Sequence, residues 1–178
     1  ELMSAATDTT MLREAGAHAR TRRLAPGATV VKWVTTTDHK VIGNLYFITS
    51  FIWFMLAGLM ALIIRAELLN PGLQVVNNPE QYNQLFTMHG TIMLLMFATP
   101  LFAGFANALM PLQIGSPDVA FPRLNMASYW IYLVGGLIMC ASFFMESGAA
   151  KSGWTNYSPL AGFADGQGTA NFLAHAGM

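Results

Sequence analysis

The chain has 178 residues, 54% of them apolar and 10% charged, with a mean hydropathy of +0.44, which excludes an ordinary soluble domain and points to a bilayer protein. Its nine basic and nine acidic residues cancel, so no global field draws nucleic acid or an acidic substrate. The single cysteine, Cys140, lies in an apolar run and can build neither a disulfide framework nor, alone, a four-ligand zinc site. It reads as a small core or lipid-facing residue.

Residues 1–40 read as a polar arm carrying Arg13, Arg20, Arg22, Arg23, Lys32 and Lys40 around an Ala-Pro-Gly stretch at 25–27, expected to be flexible. No apolar core with a small-residue cleavage site follows these basic residues before residue 40, so the arm is not expected to be a secretory signal. Three apolar stretches come next, at 42–64, 85–109 and 124–145, none containing Asp, Glu, Lys or Arg. Each is long enough to cross a hydrocarbon core, which takes about 20 residues of helix. Turn chemistry at Asn70-Pro71-Gly72 and Asn77-Asn78-Pro79 marks the first connection. Pro111, Gly115, Pro117 and Pro122 are expected to break helix and force an ordered, non-helical second connection.

Orientation follows from the basic residues, which stay on the cytoplasmic side. The arm and the second connection, with Arg123, hold seven of the nine; Arg65 and Lys151 are the others. The expected organisation is therefore a cytoplasmic arm (1–40), spans at 41–66, 85–109 and 124–146, an outer loop (67–84), a cytoplasmic loop (110–123) and an outer tail (147–178).

On this topology His89 falls in the first turns of the second span and Arg65 at the outer end of the first, so the two are expected at similar depth. An imidazole inside a membrane helix is costly unless it meets a partner, a cavity or a metal. His89 is thus either a functional group or a histidine hydrogen-bonded to a neighbouring helix, and one imidazole does not specify a metal. Arg65 has its own alternative, a snorkelling anchor among headgroups.

Four ordered stretches resemble consecutive signatures of haem-copper oxidase large subunits. They are Thr37-Asp38-His39-Lys40-Val41-Ile42-Gly43, Phe86-Thr87-Met88-His89-Gly90-Thr91, the run from Asn107 through Pro111, Gly115, Pro117, Asp118 and Arg123 to Asn125, and Gly153-Trp154-Thr155-Asn156-Tyr157-Ser158-Pro159-Leu160. The resemblance covers about residues 33–160 and is nearest to the N-terminal part of the aa3-type catalytic subunit, with details most similar to actinobacterial members. It implies an all-α integral membrane fold, contributing three transmembrane helices to a twelve-helix bundle in the plasma membrane of a bacterium.

Position by position, the resemblance makes His89 an axial ligand of the low-spin haem a and Arg65 the arginine that hydrogen-bonds its formyl group. Trp154 and Tyr157 match a motif near the haem propionates; an interfacial aromatic belt is the alternative. Asp118 matches the mouth of the proton-uptake path called the D-channel. Asn107 and Asn125 match asparagines that hold its first waters, Tyr46 a lining residue and His39 one near the mouth. Outside the resemblance, a loop carboxylate such as Asp118 is usually a surface charge.

The implied activity is oxidation of cytochrome c, reduction of dioxygen to water and proton pumping, in a membrane complex with other oxidase subunits and a cytochrome donor. A quinol oxidase of the same superfamily, or a non-catalytic three-helix scaffold, stands as the alternative. The chain lacks the second haem a ligand, the haem a3 histidine, the three copper B histidines, the cross-linked tyrosine and the inner acid of the channel. The remainder of the subunit is expected in a separate chain, or the product is truncated; alone it should not be active. Residues 161–178 do not continue the pattern, and His175 reads as a solvated histidine.

Overall fold

The computed structural model describes residues 26–145, 148–158, 173 and 177; most of the arm and His175 lie outside them. The chain divides into two compact units, residues 1–35 and 36–178. In the first, helix α1 (Pro26–Val34) occupies ground that composition assigned to a flexible stretch. Pro26 explains the difference: at the first helical position it needs no N–H and its φ is already helical.

The second unit is helical throughout its described residues, apart from connecting loops and turns. It contains α2 (His39–Glu67), α3 (Pro79–Thr91), a π-helical segment (Ile92–Ala98), α4 (Thr99–Ile114), α5 (Pro122–Ala141) and a 3₁₀ turn (Ser142–Phe144). Three continuous stretches, His39–Glu67, Pro79–Ile114 and Pro122–Phe144, are long and apolar enough to cross a membrane.

Local chemistry sets the ends of these helices. Asp38 caps α2 by accepting from the Lys40 N–H at 2.9 Å. At the other end Glu67, 4% exposed, accepts from the N–H groups of Gln74, Val75 and Val76 at 2.9, 2.6 and 3.0 Å. One carboxylate thus ties the first connection to the end of α2. Asn78 caps α3, with Pro79 in its first turn, so this helix starts six residues before the apolar run does. Its opening turns are polar, and a search for apolar residues passes over them. Pro111 lies inside α4 rather than ending it. A missing N–H is tolerated in a spanning helix when neighbours serve the freed carbonyl, and the stop falls at Gly115, whose φ of 70° suits glycine. Pro122 likewise opens α5.

The buried face of α2 repeats every seven residues, as His39, Tyr46, Trp53, Met60 and Glu67, flanked by Gly43, Ser50 and Ala57. Such a seam packs helices at shallow crossing angles. Small residues bring α4 very close: a Cβ on Gly43 would lie 3.1 Å from the Ala108 Cβ and from the Gly104 carbonyl oxygen. Gly136 does the same for α5, admitting the Trp53 ring and the Met96 sulfur. The opposite face of α2 exposes Ile48, Phe51, Ile52, Met55, Leu59 and Leu62, as a lipid-facing stripe would.

Candidate functional site

Two polar constellations interrupt this apolar bundle, one at each end of α2. Toward the end that carries Glu67, His89 of α3 places its Nδ1 2.9 Å from the main-chain carbonyl of Ala57 on α2. A carbonyl only accepts, so Nδ1 carries the proton and donates. In a neutral ring so held the lone pair is on Nε2, the arrangement in which an imidazole binds iron while a neighbouring acceptor fixes its tautomer. The neighbours of His89 along the helix, Thr87, Met88 and Thr91, are buried. The next turn is the π-helical segment, a departure from α-geometry that often accompanies functional sites. Pro100 brings no N–H to the following turn, and the Tyr132 hydroxyl of α5 donates to the Met96 carbonyl at 2.8 Å.

Arg65 is exposed in the last turn of α2. It stands eight residues beyond Ala57, about 12 Å along the helix, so it is not at the depth of the His89 contact. The expected equal depth rested on a helix beginning near Leu85. With α3 beginning at Pro79, His89 is its eleventh residue and sits three turns in. The segment 148–158 packs back on this helix through a Lys151 to Glu80 ion pair of 2.9 Å and a bond from the Gly153 N–H to Thr87 Oγ1 of 3.0 Å. These ties set Trp154 against Gly90, beside His89, where even an added Cβ would be 3.8 Å from it. Trp154 and Tyr157 remain largely exposed.

At the other end, His39 is 3% exposed and its Nδ1 lies 3.2 Å from Asp118 Oδ1. The same oxygen accepts from the Val119 N–H at 2.7 Å, while Ser116 Oγ donates to the Asp118 carbonyl at 2.7 Å. The loop after Gly115 is thereby folded to present the carboxylate to the first residue of α2. Two buried nitrogens here have no hydrogen-bond partner among the described residues, His39 Nε2 and Asn125 Nδ2. Buried polar atoms of this kind are normally served by ordered water.

From Asn125 a directed chain runs inward. Ser128 Oγ donates to the Asn125 carbonyl at 2.7 Å, so the Tyr46 hydroxyl, 3.0 Å away, donates to Ser128. Beyond Tyr46 a cavity of about 350 Å³ is lined by Tyr46, Met96, Thr99, Ala103, Ser128 and Tyr132 among others. The structure therefore brings His39 to Asp118, and Tyr46 to the neighbourhood of Asn125. It does not bring in Asn107, whose amide donates to the Ala103 carbonyl of its own helix at 2.9 Å. Ser128 and Tyr132 escaped the sequence reading, although they stand three and seven residues after Asn125, the spacing of one helix face.

Residues 41–177 match the family described as Cytochrome C and Quinol oxidase polypeptide I. The chain is 66% identical over 139 residues to a probable cytochrome c oxidase subunit 1-alpha of Streptomyces avermitilis, covering 78% of this chain and 24% of that protein. It is 58% identical over 135 residues to a cytochrome c oxidase subunit 1 of Corynebacterium diphtheriae, covering 76% and 24%. A third relative, from Nocardia farcinica, is 58% identical over 134 residues and carries the description probable cytochrome c oxidase subunit 1-beta. The chain spans about a quarter of the length of the relatives it matches. With a three-span helical fold and a family match over most of its length, the chain belongs to the cytochrome c and quinol oxidase polypeptide I family.

Proposed function

We propose that this chain forms part of the catalytic subunit of a proton-pumping cytochrome c oxidase, holding one axial ligand of a low-spin haem at one end and a proton inlet at the other. The observation that carries the reading is the 2.9 Å bond from His89 Nδ1 to the Ala57 carbonyl, which leaves Nε2 as the basic nitrogen. The haem, when bound, supplies a one-electron carrier. The Ala57 carbonyl holds the tautomer and the ring orientation, and the backbone-anchored acceptor makes the imidazole more electron-rich. Arg65, exposed on the same helix as Ala57, would offer its guanidinium to the bound haem, and Trp154 would offer an aromatic surface beside His89.

The inlet is supported by the polar track. Asp118 is a half-exposed carboxylate on a loop, able to collect a proton from dilute bulk. His39 backs it with an imidazole nitrogen, and Asn125, Ser128 and Tyr46 continue the hydrogen-bonding groups into the bundle. Hydroxyls and amides can order water without competing for the proton. Basic residues on the arm and beside Asp118 support a cytoplasmic position for this end. The complete protein would accept electrons from a cytochrome c, reduce dioxygen to water at a haem a3 and copper B centre whose ligands lie elsewhere in the subunit, and move protons outward. The relatives' descriptions as cytochrome c oxidases favour that donor over a quinol.

The test is His89→Leu in the assembled complex, read by a reduced-minus-oxidised optical spectrum. Leucine inserts readily at such a position, so the helix should persist while the low-spin haem absorbance disappears. An intact low-spin spectrum would rule out axial ligation by His89.

A further inference from the structure

Helix α1 has no role in either site, yet its composition is sided. Successive residues turn by about 100°, which gathers Trp33, Val30, Val34 and Val31 on one arc of roughly 160° and leaves Ala28 and Lys32 on the other side. The apolar members are displayed rather than packed away: Val30 is 62% exposed, Val31 60% and Trp33 42%. A soluble helix with that face open would be an anomaly.

Two further features identify what covers it. Four residues, 35–38, separate α1 from the first membrane span, a link that can reach about 18 Å at most. The apolar arc is therefore tethered beside the bilayer surface, with tryptophan, the residue that favours that depth, near its end. The charge is also one-sided, since residues 15–37 contain Arg20, Arg22, Arg23 and Lys32 and no Asp or Glu. Basic side chains beside a short apolar face suit the anionic headgroups of a leaflet.

We infer that α1 is an interfacial helix that lies in the headgroup layer of the membrane, with Val30, Val31 and Trp33 turned to the acyl chains and Lys32 to the phosphates. In this position it would anchor the start of α2 at a set height, and with it the His39 and Asp118 pair one link away. A protein subunit covering the same face is the competing occupant, and it has no comparable support in the charge pattern.

Photocrosslinking in the complete oxidase complex within native membranes separates the two. A benzophenone amino acid is placed at Val31 on the apolar arc, or at Val30 should the first variant assemble poorly, and at Ala28 on the opposite side. Mass spectrometry of the irradiated subunit should show phospholipid adducts at Val31 or Val30 in several-fold excess over Ala28. Polypeptide crosslinks from the apolar positions, equal lipid yields from both sides, or no adduct from the apolar positions would each overturn the inference.

Discussion

Gly43→Ala should separate the two ends of the bundle, because Gly43 lies one turn from His39 and one turn from Tyr46 on the buried face of α2. The new Cβ would meet the Ala108 Cβ, the Ala108 nitrogen and the Gly104 carbonyl oxygen, each at 3.1 Å. None of these ends a flexible side chain, so the clash is relieved only if α4 moves off α2 by a few tenths of an ångström. Overpacking of this kind costs about 1–3 kcal/mol. Replacing a helical glycine by alanine returns about 1 kcal/mol, leaving a net loss of up to about 2 kcal/mol. Gly58→Ala is the internal control, since a Cβ there meets nothing within 4 Å and only the propensity gain remains. The assay is loss of haem absorbance with time in detergent at one elevated temperature, together with steady-state oxygen consumption. Gly43→Ala should decay faster than the parent and Gly58→Ala no faster. Turnover should also fall, because the displaced α4 enlarges the gap beside Tyr46. The low-spin haem spectrum should hold, since Ala57 is fourteen residues and about 21 Å further along α2. Equal decay of the Gly43 and Gly58 variants would refute the close crossing of α2 and α4.

Asp118→Asn keeps the oxygen that accepts from Val119 and His39 but removes the ionisable proton collector; oxygen reduction should slow, and proton release by vesicles should fall further, with normal haem spectra. Parent-like turnover and pumping would make Asp118 a plain loop charge. Arg65→Met should shift the visible band and midpoint potential of the low-spin haem, whereas an unchanged spectrum would leave Arg65 a headgroup anchor. Tyr132→Phe withdraws the hydroxyl donor from the Met96 carbonyl at a cost of about 1–3 kcal/mol. Its thermal inactivation should therefore come earlier; parent-like behaviour would mean that main-chain donors already satisfy that carbonyl.

Much of this was legible in the residues, and the misses share a cause. The spans could be read because apolar runs without charge have one stable solution in a bilayer. Their ends could not, because polar first turns such as Pro79-Glu80-Gln81 look like loop until a cap is seen, and that shifted His89 three turns into its helix. Proline was over-read in the same way: Pro111 sits inside α4, and Pro26 and Pro122 begin helices, since the cost of a missing N–H depends on which ladder position it occupies. His89 and Asp118 stood out as isolated ionisable residues. Their partners did not, for the Ala57 carbonyl belongs to the backbone and has no sequence signature, and Ser128 is one common residue among many. The π-helical turn and the tyrosine that serves it are likewise products of packing between helices.

The spacing along α2 carries one more consequence. His39 and Ala57 are eighteen residues apart, about 27 Å, nearly the thickness of a hydrocarbon core. One rigid helix thus contacts the carboxylate at one surface and fixes the imidazole near the other. Between them stands an apolar layer in which the Trp53 ring and Met96 fill the space that Gly136 leaves open. Above Tyr46 the buried Ser50 hydroxyl turns back to the Tyr46 carbonyl of its own helix, while the half-buried Thr49 hydroxyl donates to the Leu45 carbonyl at 2.7 Å and lies beside the hydroxyls of Tyr129 and Tyr132. On the inlet proposed above, a proton reaching Tyr46 would pass on toward the Thr49 hydroxyl and the cavity beside Thr99 and Tyr132. As proposed, the haem ligand and the proton inlet would stand toward opposite ends of one scaffold, so a spectrum should report on one end while turnover reports on the other.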